Sequence, residues 1–149
     1  MSANEILERH IEMIRIHGHA VTYVPNGLDG TFCYTSGLSL AGLPEAVMTV
    51  PLEQKALVSC LNGLASRWKR RGFSAGKLSE VIEGYDVLVV PLDAATVDQS
   101  EMFSITRSIA QSEDWGCSLR YVQLVIPDQR GRYPDEPEYD QSFVQPLLL

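Results

Sequence analysis

Two stretches of this sequence hold reactive residue types in places that packing alone does not explain. YTSGLSLAGLPE, residues 34–45, puts Tyr34 and Thr35 at the end of an extended run, then small residues, then Pro44 and Glu45. PDQRGRYP, residues 127–134, sets Asp128, Arg130 and Arg132 around Gly131, with Tyr133 following. A turn centred on Gly131 would expose backbone N–H groups and two guanidinium forks, an arrangement suited to a carboxylate or phosphate. It would equally serve as a surface turn whose Asp and Arg pair with one another. If the two stretches met at one pocket, Arg130 and Arg132 would hold an anion, Tyr34 or Glu45 would move a proton, and Asp128 would orient them. The candidate binding residues are therefore Tyr34, Thr35, Glu45, Asp128, Arg130, Arg132 and Tyr133.

Other chemistry is poorly supported. The sequence holds no phosphate loop of the G-x-x-x-x-G-K-[ST] kind, no G-x-G-x-x-G, no H-E-x-x-H and no C-x-x-C. YTSGLS is not a nucleophile elbow, because Tyr34 stands where the first glycine of G-x-S-x-G must allow the strained turn around Ser36. His17 and His19 could share a face and bind one metal, but no spacing nominates a third ligand, so no metal or cofactor is expected. The expectation for His17 is a place at the negative end of a helix dipole, and for His19 the start of a strand. Cys33, inside FCYT, reads as core packing rather than as a nucleophile. The run RWKRR, residues 67–71, reads as a helix C-terminus rather than a nucleic-acid patch.

Composition sets the outer bounds. A chain of 149 residues, 45% hydrophobic, is one domain with a single core. Its net charge of -7 disfavours sequence-independent binding to nucleic acid, which depends on Lys and Arg displacing counterions. A protein with a basic surface or a small molecule is the expected partner, and self-association is a further option. Three cysteines without regular spacing suit a reducing compartment. The charged N-terminus and the lack of a long apolar run exclude a signal peptide and a membrane span, so a soluble cytoplasmic protein is expected.

The elements that must position these residues follow from periodicity. Ser2 and Glu5 form a capping box ahead of a helical stripe of Leu7, Ile11 and Ile14 that ends at Gly18. Residues 19–25 and 31–37 flank NGLDG as a hairpin, and AVMTV is a third strand. A second helix is expected to start at Pro51 and end in KRR and Gly72, and mid-helix Gly63 suggests something packed closely over it. KLSEVIEG reads as a short strand or loop, and YDVLVVPLD as a strand covered on both faces. A third helix is expected from Asp98, with Glu101 completing its capping box and Trp115 covering its end. LRYVQLVI is the last, central strand, its Gln123 a buried polar group in need of partners. The order predicts an α+β domain, a mixed or mostly antiparallel sheet with about three helices, and residues 127–149 as an irregular segment packed on the surface.

The two opening stretches also carry a resemblance. Tyr34, Thr35, Gly37 and Leu38, then Pro44 and Glu45, then Gln123, Leu124, Val125, Pro127 and Asp128, then Gly131 to Pro134, and Gln145 with Pro146 resemble the bacterial family called Domain of Unknown Function 4262. The chain departs from that pattern at Leu43, Ile126 and Asp135, where the family usually has His, Trp and Trp. The resemblance implies an architecture and a site location rather than a reaction. It also implies that residues 127–146 are ordered near YTSGL. The portion with Tyr34, Thr35, Gly37, Leu38, Pro44 and Glu45 more faintly resembles suppressor-of-fused-like domains too, which in bacteria include toxin-immunity proteins. Two functions are therefore expected as alternatives: an acidic binding or regulatory protein, such as an inhibitor or immunity protein, or a small-molecule or nucleotide-handling enzyme whose site joins the two stretches.

Overall fold

A computed structural model describes residues 2–27, 30–82 and 84–148. The first helix, α1 (Ala3–His17), opens as its capping residue dictates: the Ser2 hydroxyl accepts from the Glu5 N–H at 3.2 Å. It closes at Gly18, whose φ of 85° only glycine adopts readily. Strands β1 (Ala20–Gly27) and β2 (Gly30–Ser36) form the expected antiparallel hairpin, whose turn residues Leu28 and Asp29 lie outside the described residues. A 3-10 turn, Leu38–Ala41, leads to β3 (Glu45–Met48). Helix α2 (Gln54–Arg71) is followed by the hairpin of β4 (Gly76–Ile82) and β5 (Tyr85–Leu92). Two short helices, α3 (Ala94–Asp98) and α4 (Ser104–Ser112), precede β6 (Tyr121–Val125).

The six strands form one sheet in the order β1-β2-β3-β6-β5-β4, parallel only between β3 and β6. This is a mixed α+β fold with β6 at the centre. Alternation along β6 assigns each residue a layer. Val122, Leu124 and Ile126 face the core under α2, which contributes Leu57, Leu61, Leu64 and Trp68. On the other face Tyr121 joins Phe32, Tyr34, Val47, Val97, Met102 and Phe103, with Leu148 of the chain's end. Gln123, also on this face, is fully satisfied: its amide donates to Thr49 Oγ1 and Pro146 O, and its carbonyl accepts from Leu148 N. The irregular segment beyond residue 126 is thereby stitched back along the central strand. At the sheet's β1 edge, α1 and α4 meet through Ile14, Ala20 and Ile109, and Trp115 covers that contact.

Four expectations change. The helix foreseen from Asp98 is two helices, because Asp93 caps an earlier start through Thr96 N and Thr96 Oγ1, so that Asp98 ends α3. Phe103 then interrupts at φ 61°, a strain offset by its packing on Tyr121 and Tyr34 at 4.6 and 5.1 Å. Helix α2 starts at Gln54 rather than Pro51, with Glu53 at its N-cap. β5 alternates between buried Val87 and Val89 and half-buried Leu88 and Val90 instead of being covered on both faces. Nothing packs over Gly63, where an added Cβ would meet open space.

Two self-filled anion nests and a cationic groove

Glu45 begins β3 and is completely buried, yet it takes part in no ion pair among the described residues. Five donors surround its carboxylate instead. Oε1 accepts from the Thr35 hydroxyl at 2.8 Å and Leu38 N at 3.2 Å; Oε2 accepts from Gly37 N, Ser39 N and the Ser39 hydroxyl at 3.1, 3.0 and 2.6 Å. Three successive backbone N–H groups converge because Gly37, at φ 109°, turns the chain into the 3-10 turn. Such a concavity is a backbone anion site, and here it is filled by the chain's own carboxylate. Gly37 has a second reason to be glycine: a Cβ would come within 3.0 Å of Gly18 O and 3.1 Å of His19 Cα. Tyr34 and Thr35 belong to the same frame. The Thr35 hydroxyl also accepts from Ala46 N, and the Tyr34 hydroxyl accepts from Ile105 N, capping α4 where Phe103 offers no side-chain cap. Burial raises the Tyr34 phenol above its ordinary value.

Asp128 repeats the arrangement beyond the other end of β6. Its Oδ1 accepts from Arg130 N and Arg132 N, and its Oδ2 from Asp140 N and Arg132 Nε, at 2.9 to 3.1 Å. The turn closes through Asp128 N to Arg132 O and Gly131 N to Asp128 O, with Gly131 at φ 79°. Desolvation by itself would raise the carboxyl, but the N–H groups of Arg132, Asp140 and Arg130 and the Arg132 guanidinium prevail and hold it at about 2. The Gly-centred turn therefore pairs its own Asp and Arg. Arg132 also reaches Glu138 at 3.4 Å, Arg130 is exposed, and Tyr133 is buried with its hydroxyl donating to Asp86 O.

The two nests do not meet. Glu45 pairs with Tyr121 at the start of β6, whereas Asp128 lies seven residues further on, roughly 20 Å along an extended strand. A 400 Å³ hollow at the second nest is lined by Asp128, Gln129, Arg130, Arg132 and Asp140 and by none of Tyr34, Thr35 or Glu45. The chain's end returns towards the first stretch, with Leu148 packed in the cluster that holds Tyr34.

A third constellation joins residues that the sequence shows only as separate oddities. His19 Nε2 bonds Asn62 Oδ1 at 2.8 Å, which gives the mid-helix Asn62 its purpose. Lys69 Nζ donates to His19 Nδ1 at 2.6 Å and to His17 O at 2.9 Å, so the cation that ends α2 also caps the C-terminus of α1. Since Nδ1 accepts, the imidazole carries its proton on Nε2. Burial, helped by the charges of Lys69 and His17, outweighs the Asn62 bond and lowers the pKa of His19. A Cβ on Gly18 would stand 2.9 Å from Lys69 Nζ, so the glycine also makes room for the lysine. These groups line an open groove of 690 Å³ between α1, β1 and α2. No single motif announces it; the separate signals are the H-G-H step, Asn62 inside a helix and a basic run ending that helix.

Cys33 is fully buried, and burial with neighbouring Cys60 pushes its thiol up to about 12, the opposite of an activated nucleophile. Among the described residues no group of three His, Cys, Asp or Glu is placed to hold a metal. No helix among them is long and apolar enough to cross a membrane.

Fold and nests define an α+β domain in which two motif stretches brace opposite ends of a central strand. The model of the domain of unknown function DUF4262 matches residues 13–140, most of the chain, and the protein belongs to that family. No curated protein and no solved structure matches it.

Proposed function

We propose that this chain is a binding or regulatory protein that recognises a protein partner with a basic surface, in the manner of an inhibitor or immunity protein. One observation carries the reading. The carboxylates of the motif stretches, Glu45 and Asp128, are held by backbone donors, while other carboxylates are displayed on the segment that Asp128 braces. Asp135, Glu136 and Glu138 are exposed between buried Tyr133 and Tyr139, which fix their ends through bonds to Asp86 O and Phe143 O. A backbone braced in this way presents these carboxylates without the cost of ordering the segment on binding, and with the net charge of -7 they speed encounter with a cationic partner. An enzyme with a site shared by YTSGL and PDQRGRYP would need the two nests at one pocket, and no distance or cavity favours that.

The test is capture of a partner from the native host at low salt, followed by association kinetics at two ionic strengths. The expected result is a rate that falls steeply with salt and falls again when Asp135, Glu136 and Glu138 are replaced by their amides. No stable partner, or a rate insensitive to both changes, would remove the reading.

A further inference from the structure

The groove between α1, β1 and α2 is an exception to the character of the molecule. The chain carries a net charge of -7, yet the groove's lining residues include His17, His19, Lys69 and Arg70 and not one Asp or Glu. No ion pair among the described residues involves Lys69 or Arg70. Lys69 is nonetheless held in place: two of an ammonium's three N–H donors go to His17 O and His19 Nδ1, and the His19–Asn62 bond fixes the imidazole that accepts one of them. The third donor is left for an acceptor from outside. The same three elements also line the groove with apolar side chains, exposed Met13 of α1, half-buried Val21 of β1 and half-buried Val58 of α2. A volume of 690 Å³ falls in the range of small-molecule sites.

We propose that this groove binds a small organic acid, its carboxylate held by Lys69, Arg70 and His17 and its hydrocarbon body laid along Met13, Val21 and Val58. The pairing of an oriented cation with apolar lining side chains selects against two simpler classes of ligand. A bare inorganic anion gains nothing from the valines, and a neutral apolar molecule leaves the ammonium's remaining donor unmatched. The nest of Glu45 supports the site from below, because Gly37 packs against Gly18 and His19, the backbone that carries two of the groove's imidazole residues.

Calorimetric titration of the full chain with octanoate, 1-octanol and inorganic phosphate separates these classes. Octanoate is expected to bind saturably at one site, with 1-octanol and phosphate each at least about tenfold weaker. Lys69→Met should weaken octanoate binding by about tenfold or more. Ser66→Glu, at an exposed position of α2 in the groove wall, adds a carboxylate without disturbing the core and should do the same. If Lys69→Met proves unstable in a thermal melt, Ser66→Glu decides. The proposal is overturned if octanoate shows no saturable binding, if 1-octanol binds equally well, or if Ser66→Glu leaves octanoate affinity unchanged.

Discussion

At the scale of single residues, identity and role separate. Glu45 and Asp128 look like site carboxylates because both stand among glycines and donors, which is also how a chain builds an anion site around a carboxylate of its own. From sequence the two outcomes are alike: the residue types are the same, and only the path of the backbone decides whether the concavity is open or filled. Arg132 was legible as the partner of Asp128, since a turn four residues long brings them together, whereas the five donors around Glu45 come from a fold-back that no local pattern specifies. Gly63 misleads in the other direction. It looks reserved for a close neighbour, but its Cβ direction is empty. Gly63→Ala should therefore raise stability by about 1 kcal/mol, the ordinary helix-propensity difference, as read from the urea midpoint.

At the scale of elements, the periodic signals hold where one face is buried. The capping box of α1, the β1–β2 hairpin and the two layers of β6 follow directly from hydrogen-bonding side chains and alternation. The region between β5 and β6 was less legible, because Phe103 breaks the helix for the sake of an aromatic cluster whose other members, Tyr34 and Tyr121, are distant in sequence. The groove was legible only as separate signals for the same reason: His19 sits at the junction of α1 and β1 and Asn62 and Lys69 on α2, which the packed sheet brings together. Gly37 links these elements, since it turns the chain into the Glu45 nest and touches the α1–β1 junction. Gly37→Ala should cost roughly 1–3 kcal/mol through its positive φ and its contact with backbone. Nuclear magnetic resonance of that variant should show shift changes at Gly18 and His19 as well as at Leu38 and Ser39.

At the scale of the whole molecule, the two nests anchor opposite ends of β6, the segment after β6 carries exposed Asp135, Glu136 and Glu138, and the groove between α1, β1 and α2 is lined by no carboxylate. The two proposed partners, a basic protein and an organic acid, would then be met without using Glu45 or Asp128, and the Asp128 nest sets the pH response. Asp128 is depressed from an ordinary 3.8 to about 2, so its contribution is complete above 3.8 and lost as pH falls through about 2. The central claim, that the motif carboxylates hold the fold from within, is tested most directly by urea unfolding of the wild type, Glu45→Gln and Asp128→Asn at neutral pH and again near the Asp128 transition. In Glu45→Gln either orientation of the amide turns an NH₂ group towards existing donors, and the expected loss is about 3 kcal/mol. Asp128→Asn should also unfold at lower urea at neutral pH and show less further loss on acidification than the wild type. A Glu45→Gln protein that unfolds at the wild-type urea midpoint would contradict the account.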